Sequence, residues 1–88
     1  MKIDLAGQVA YVTGGNKGIG WACAKLFAQC GASVAICGRN TELNAQCVEE
    51  LQSNYQVDAL GIECDVSDAE QVKKAFKQLK NKFGQLDI

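Results

Sequence analysis

Residues 13–20 read Thr-Gly-Gly-Asn-Lys-Gly-Ile-Gly, and the chemistry open to such a stretch is the binding of an anion by backbone. Glycine permits the positive φ angles of a sharp turn. A helix starting at that turn presents unsatisfied amides and about half a positive charge. A diphosphate fits those donors, and it can approach the backbone wherever a side chain is missing. Gly14, Gly18 and Gly20 would leave that approach bare, and Gly20 would let the helix pack closely on the preceding strand. Two basic residues could meet a further phosphate: Lys17 within the turn and Arg39 after the next apolar run. A guanidinium grips a phosphate through two charge-assisted hydrogen bonds. Taken alone, a glycine cluster also suits an ordinary strand-to-helix turn, and both cations also suit a solvated surface.

The elements that must position these residues follow from hydropathy. Val9–Val12 is a short apolar run ended by glycines, which reads as a strand buried on both faces. Ile19, Ala22, Cys23, Leu26, Phe27 and Cys30 follow the stripe of an amphipathic helix, and Gly31 stands where a left-handed cap is expected. Val34–Cys37 repeats the buried-strand pattern and stops at Gly38. Thr41 is expected to cap a second helix whose inner stripe is Leu43, Cys47 and Leu51, with Val48 a further candidate and Tyr55 closing the face. Ala59–Cys64 reads as a third strand. Ser67 and Glu70 match a capping box for a third helix carrying Val72, Ala75, Phe76, Leu79 and Phe83, with Gly84 at its end. Leu86–Ile88 looks like the start of a fourth strand.

Short buried strands alternating with helices imply an α/β fold with a parallel sheet of βαβαβα units, cut short before the fourth strand is complete. Right-handed crossovers place the first two helices on one face. The third returns on the other face if the fourth strand is to lie beside the first. That reversal sets a switch point at the carboxyl end of the first strand, where open α/β sheets bind ligands. The glycine turn sits there.

The strict G-x-G-x-x-G spacing is not met, since Cys23 falls where its third glycine would stand. The turn instead resembles the T-G-x-x-x-G-x-G pattern of the short-chain dehydrogenase/reductase family, with Thr13, Gly14, Gly18 and Gly20 at its fixed positions. Cys64-Asp65-Val66 and Phe83–Ile88 are similar to later landmarks of that family, at the expected spacing. The resemblance implies that residues 1–88 are the N-terminal part of a single NAD(P)-binding Rossmann domain. It implies that residues 13–20 (Gly15, Asn16 and Ile19 included) hold the pyrophosphate, and that Asp65 and Val66 receive the adenine. Where NAD-dependent relatives carry a carboxylate for the ribose hydroxyls, this chain has Gly38 followed by Arg39. With Lys17, that pattern implies a preference for NADP(H) over NAD(H).

The family's catalytic serine, and its tyrosine with a lysine four residues on, fall beyond Ile88. Neither Tyr11 nor Tyr55 has such a lysine, so no catalytic residue is assigned. The implied parent activity is NADP(H)-dependent interconversion of a carbonyl and an alcohol. Within the family the chain is similar to the reductases of 3-oxoacyl groups on acyl carrier protein. The 88 residues alone are expected to be inactive, weak in cofactor binding and poorly soluble, because the first strand would be left as an apolar sheet edge. A non-catalytic nucleotide sensor and a functionless fragment stay open as alternatives. A Tyr-x-x-x-Lys motif downstream would favour the enzyme.

Composition excludes other classes. A net charge of −1 gives no electrostatic footprint for nucleic acid and no basic surface for membranes. Five cysteines, an odd number without C-x-x-C spacing, and no histidine argue against a zinc site or a disulfide framework. They read as small core hydrophobes of a protein in the reducing cytoplasm. Family resemblance implies a homo-oligomer at full length.

Overall fold

A computed structural model describes residues 4–88. Its elements alternate: β1 Val9–Thr13, α1 Gly18–Gln29, β2 Ser33–Gly38, α2 Thr41–Tyr55, β3 Ala59–Glu63 and α3 Ala69–Phe83. The strands form a parallel sheet ordered β1-β2-β3, with Val12 opposite Ile36 and Cys37 opposite Ile62. The four residues Val34–Cys37 of the central strand are fully buried, which is why they read as an unbroken apolar run.

Side chains alternate across this sheet. Val34, Ile36 and Ala59 pack under α1 and α2, whereas Ala35, Cys37, Ile62 and Cys64 pack under α3. The returning chain lies along the free edge of β1: Tyr11 N donates to Ile88 O at 2.9 Å, and Ile88 N to Val9 O at 3.1 Å. The Val9 amide is taken by Asp87 Oδ2 at 2.8 Å. So β1 has neighbours on both sides, and the switch point falls at its carboxyl end. The bare β1 edge expected from the sequence is covered by residues 87–88 along Val9–Tyr11.

Three local expectations need correction. The buried face of α1 carries Ala24 and Ala28 flanked by Trp21 and Phe27, while Ile19 is 85% and Leu26 59% exposed, and Ala22 and Cys23 are exposed too. Both stripes have helical spacing. The alanines win because a small side chain lets the helix approach the sheet. Cys23 is accordingly no core residue, although Cys37, Cys47 and Cys64 are.

The second correction is at α2, where Asn40 is the cap. Its Oδ1 accepts from Leu43 N at 3.0 Å, and Thr41 is already helical. The third is at α3, where Asp68 caps by accepting from Glu70 N at 3.0 Å and Gln71 N at 3.4 Å. Ser67 instead donates its hydroxyl to Asp65 Oδ1 at 2.7 Å and its amide to the same oxygen at 3.0 Å, one residue too early in the chain to take the amides that Asp68 holds. Asp68→Ala should therefore cost about 1 kcal/mol of stability. Ser67→Ala should leave the urea midpoint nearly unchanged, and equal midpoints for the two variants would return the cap to Ser67.

Candidate dinucleotide-binding site

The site is built where β1 stops. Gly14 N donates to Cys37 O at 3.0 Å, which ties the turn to β2. Gly14 (φ 64°) and Gly18 (φ 60°) adopt the left-handed conformation, and nothing lies within 4 Å of the position a side chain would take at either. Lys17 is the N-cap residue of α1, is extended, and makes no side-chain capping bond. The first turn of α1 contains no acidic residue. Its leading amides and the positive end of its dipole are therefore not neutralised by the helix's own side chains. Gly20 serves close packing, but against the turn rather than the strand: a Cβ there would lie 2.9 Å from the Gly14 carbonyl carbon and 3.2 Å from Gly15 Cα.

A cavity of about 560 Å³ opens beside this turn at the carboxyl ends of β1, β2 and β3. Of the residues selected from sequence, Gly14, Asn16, Lys17, Gly38, Arg39, Asp65 and Val66 line it. Parallel strands bring these separate segments to one end of the sheet. Thr13, Gly15, Gly18, Ile19 and Gly20 are outside its lining: Thr13 ends β1, Gly15 is buried beneath the turn, and Gly18–Gly20 begin α1. A smaller hollow of about 340 Å³ between α2 and β3 contains none of the selected residues.

Charge is arranged in a definite way. Lys17 and Arg39 supply the positive side of the cavity. In the same cavity, Asp65 Oδ1 accepts from Ser67 Oγ at 2.7 Å and Ser67 N at 3.0 Å. These bonds, helped by nearby Arg39, hold the Asp65 carboxyl below its ordinary range. Asp65 is thus an ionised acceptor at neutral pH. Cys37 and Cys64 contribute to the cavity floor. Burial, followed by the neighbouring Cys37, pushes the Cys64 thiol up, so it stays protonated and uncharged. Tyr11 sits on the α3 face, its ring edge-on to Phe76 at 5.5 Å. Burial and Cys37 raise its phenol far above neutrality, which does not suit proton transfer.

Sequence reasoning missed Asn44. It is 3% exposed and accepts from Asn16 Nδ2 at 2.8 Å. Asn44 Nδ2 donates to Gly38 O at 3.0 Å and Ile62 O at 3.2 Å. Asn16 was selected as a ligand contact, yet its side-chain amide is committed to this partner. The available signal was position: Asn44 lies one and two turns before Cys47, Val48 and Leu51, on the inner stripe of α2, where a polar residue needs a reason.

Comparison with known proteins agrees with this geometry. Residues 8–88 match the short chain dehydrogenase family. Sorbose reductase of Candida albicans is 43% identical over 85 residues, covering 97% of this chain and 30% of that protein. The 3-oxoacyl-[acyl-carrier-protein] reductase of Aquifex aeolicus is 38% identical over 88 residues, covering 100% of this chain and 36% of that protein. L-sorbose reductase from Gluconobacter frateurii, solved with NADPH and L-sorbose, superposes with a TM-score of 0.95 at 30% identity, over 99% of this chain and 33% of that one. The chain thus spans about a third of the length of the relatives it matches. With the glycine turn, the parallel sheet and the match over residues 8–88 all in register, the chain belongs to the short-chain dehydrogenase family.

Proposed function

We propose that residues 1–88 are the N-terminal, cofactor-holding part of one NAD(P)-binding domain, in an NADP(H)-dependent oxidoreductase that interconverts a carbonyl and an alcohol. The observation that carries the cofactor choice is the presence of Arg39 and Lys17 in one cavity with Gly38, the position where an NAD-binding protein of this fold carries its ribose-binding carboxylate. The cavity fits such a group. Open space stands over Gly14 and Gly18, and uncapped helix amides adjoin it. The turn at residues 13–20 would receive the pyrophosphate, Lys17 and Arg39 the 2′-phosphate, and Asp65 with Val66 the adenine. Both Ser67 bonds fall on Asp65 Oδ1, which leaves Oδ2 to accept from an amino group. The bound nicotinamide would supply the hydride.

The NADPH in the Gluconobacter frateurii enzyme supports this reading. A substrate narrower than a carbonyl or alcohol is not assigned. The sorbose reductase matches this third of the molecule at 43% identity and the 3-oxoacyl reductase at 38%, so the shared part does not select between them. No turnover is assigned to residues 1–88 by themselves. The full-length protein is proposed to be a homo-oligomer of the cytoplasm, a compartment that suits its free thiols. Among the described residues no helix is long and apolar enough to cross a membrane.

Titration of the full-length protein with NADPH and NADH tests the proposal. Trp21, the only tryptophan of this chain and part of the first turn of α1, gives a signal close to the site. NADPH should bind at least about tenfold more tightly, the equivalent of one charge-assisted contact. Binding of neither nucleotide would defeat the reading.

A further inference from the structure

We propose that Asn16 and Asn44 form a buried amide clasp that reserves the space over Gly38, and so act as specificity-determining residues for the cofactor. The proposal rests on the dinucleotide reading above and goes beyond it to what forbids a side chain at the end of β2.

Among the described residues, Asn16 (7% exposed) and Asn44 (3%) are the buried polar side chains. The Asn44 amide has no freedom. Its NH2 group is spent on two carbonyls, Gly38 O and Ile62 O, so a flip would aim oxygen at oxygen. Its oxygen must therefore point to Asn16, and Asn16 must donate. The Asn16 backbone is held in turn, since its carbonyl accepts the Cys47 thiol at 3.5 Å. The clasp thus joins the glycine turn, α2 and the ends of β2 and β3.

Gly38 lies directly under it. Its φ is not in the left-handed region, so the backbone there does not demand glycine. Space does. A Cβ would collide with Asn16 Nδ2, and would lie 3.0 Å from Asn16 Cγ and 3.2 Å from Asn44 Oδ1. The tip of a side chain can usually swing away, but this one cannot without stranding two buried amides. An acidic residue at position 38, the usual holder of the ribose hydroxyls, is therefore excluded as long as Asn16 keeps its amide. Lys17 and Arg39 attract the 2′-phosphate, while Asn16 and Asn44, which touch each other, keep a carboxylate out of position 38.

The test is a coupling measurement on the full-length protein, with NADPH and NADH as probes and melting temperature as an independent readout. Gly38→Ala should lose about tenfold or more in NADPH affinity and melt lower. In an Asn16→Ala background the same change should cost less than about threefold, with the melting loss largely recovered. Asn44→Ala, which frees the Asn16 amide, should relieve Gly38→Ala in the same direction. Gly38→Asp alone should bind neither nucleotide well, whereas Asn16→Ala with Gly38→Asp should prefer NADH. If Gly38→Ala fails to fold, recovery of a cooperative melt by Asn16→Ala is the supporting result. Multiplicative losses without rescue in either readout would overturn the clasp. So would a switch to NADH by Gly38→Asp alone in a wild-type protein that prefers NADPH. A wild type that binds neither nucleotide would remove the specificity role by removing the site, and that failure is recognisable because the melting-temperature coupling survives it.

Discussion

Gly20→Val is expected to weaken NADPH binding by at least about 100-fold, ~2.8 kcal/mol, while the protein still folds. The reason lies in what the new side chain would meet. At Gly20 the nearest atoms are backbone: the Gly14 carbonyl oxygen, then its carbon at 2.9 Å and Gly15 Cα at 3.2 Å. Backbone cannot rotate aside, and Gly14 is moored to Cys37 O on the central strand. The strain must be relieved by lifting the first turn of α1. That displaces the amides proposed to receive the pyrophosphate, and a misplacement near 1 Å is enough to cost about 100-fold where geometry is critical. Stability should fall by only about 1–3 kcal/mol, the usual range for overpacking. Gly7→Ala, away from the cavity, is the contrasting control. Space is open there, so the penalty is a left-handed alanine, about 1–2 kcal/mol, without a shift of α1. Isothermal titration with NADPH beside a thermal melt separates the two effects. NADPH affinity within threefold of wild type for Gly20→Val would mean that this turn does not cradle the phosphates.

The same backbone contact shows what could be read in advance and what could not. Strands buried on both faces announce themselves as unbroken apolar runs, and Val34–Cys37 matched the core of β2 to within one residue at each end. Their parallel order followed from the alternation with helices, and with it the gathering of Lys17, Arg39 and Asp65 at one end of the sheet. The face of α1 did not follow. Large apolar residues and small ones both repeated at helical spacing, and only the closeness of α1 to the sheet, set by Ala24 and Ala28, decides between them. The caps failed for a related reason. Asn40 and Thr41, like Ser67 and Asp68, are adjacent residues that can both cap, and which one does depends on where the helix starts: at α3 Asp68 Oδ1 takes the Glu70 and Gln71 amides. Asn44 was hidden because its partners, Asn16, Gly38 and Ile62, come from three other segments.

Arg39→Asp, with Gly38 retained, should invert the cofactor preference. Loss of a bidentate, charge-assisted contact is worth roughly 1.5–3 kcal/mol, and a carboxylate in its place adds repulsion of the 2′-phosphate. A fall of about 100-fold or more in NADPH affinity is therefore expected, with NADH affinity unchanged or improved. Arg39 is exposed, so its attraction is screened by salt. NADPH binding by the wild type should weaken as ionic strength rises, and the variant should lose most of that dependence. One competing explanation is open to a direct check. Arg39 also helps to hold the Asp65 carboxyl down, so its replacement moves that pKa upward. The larger causes, the two bonds from Ser67, remain in the variant. A group whose folded pKa is depressed is ionised above that value and protonates only as pH falls through it, well on the acid side of neutrality. Asp65 thus stays charged at pH 7 in both proteins, and the NADPH-to-NADH ratio of the variant should be the same at pH 7 and pH 8. A ratio that matches wild type at low salt would show that Arg39 is only a solvated surface charge. A ratio that drifts between these two pH values would shift the effect to another titrating group.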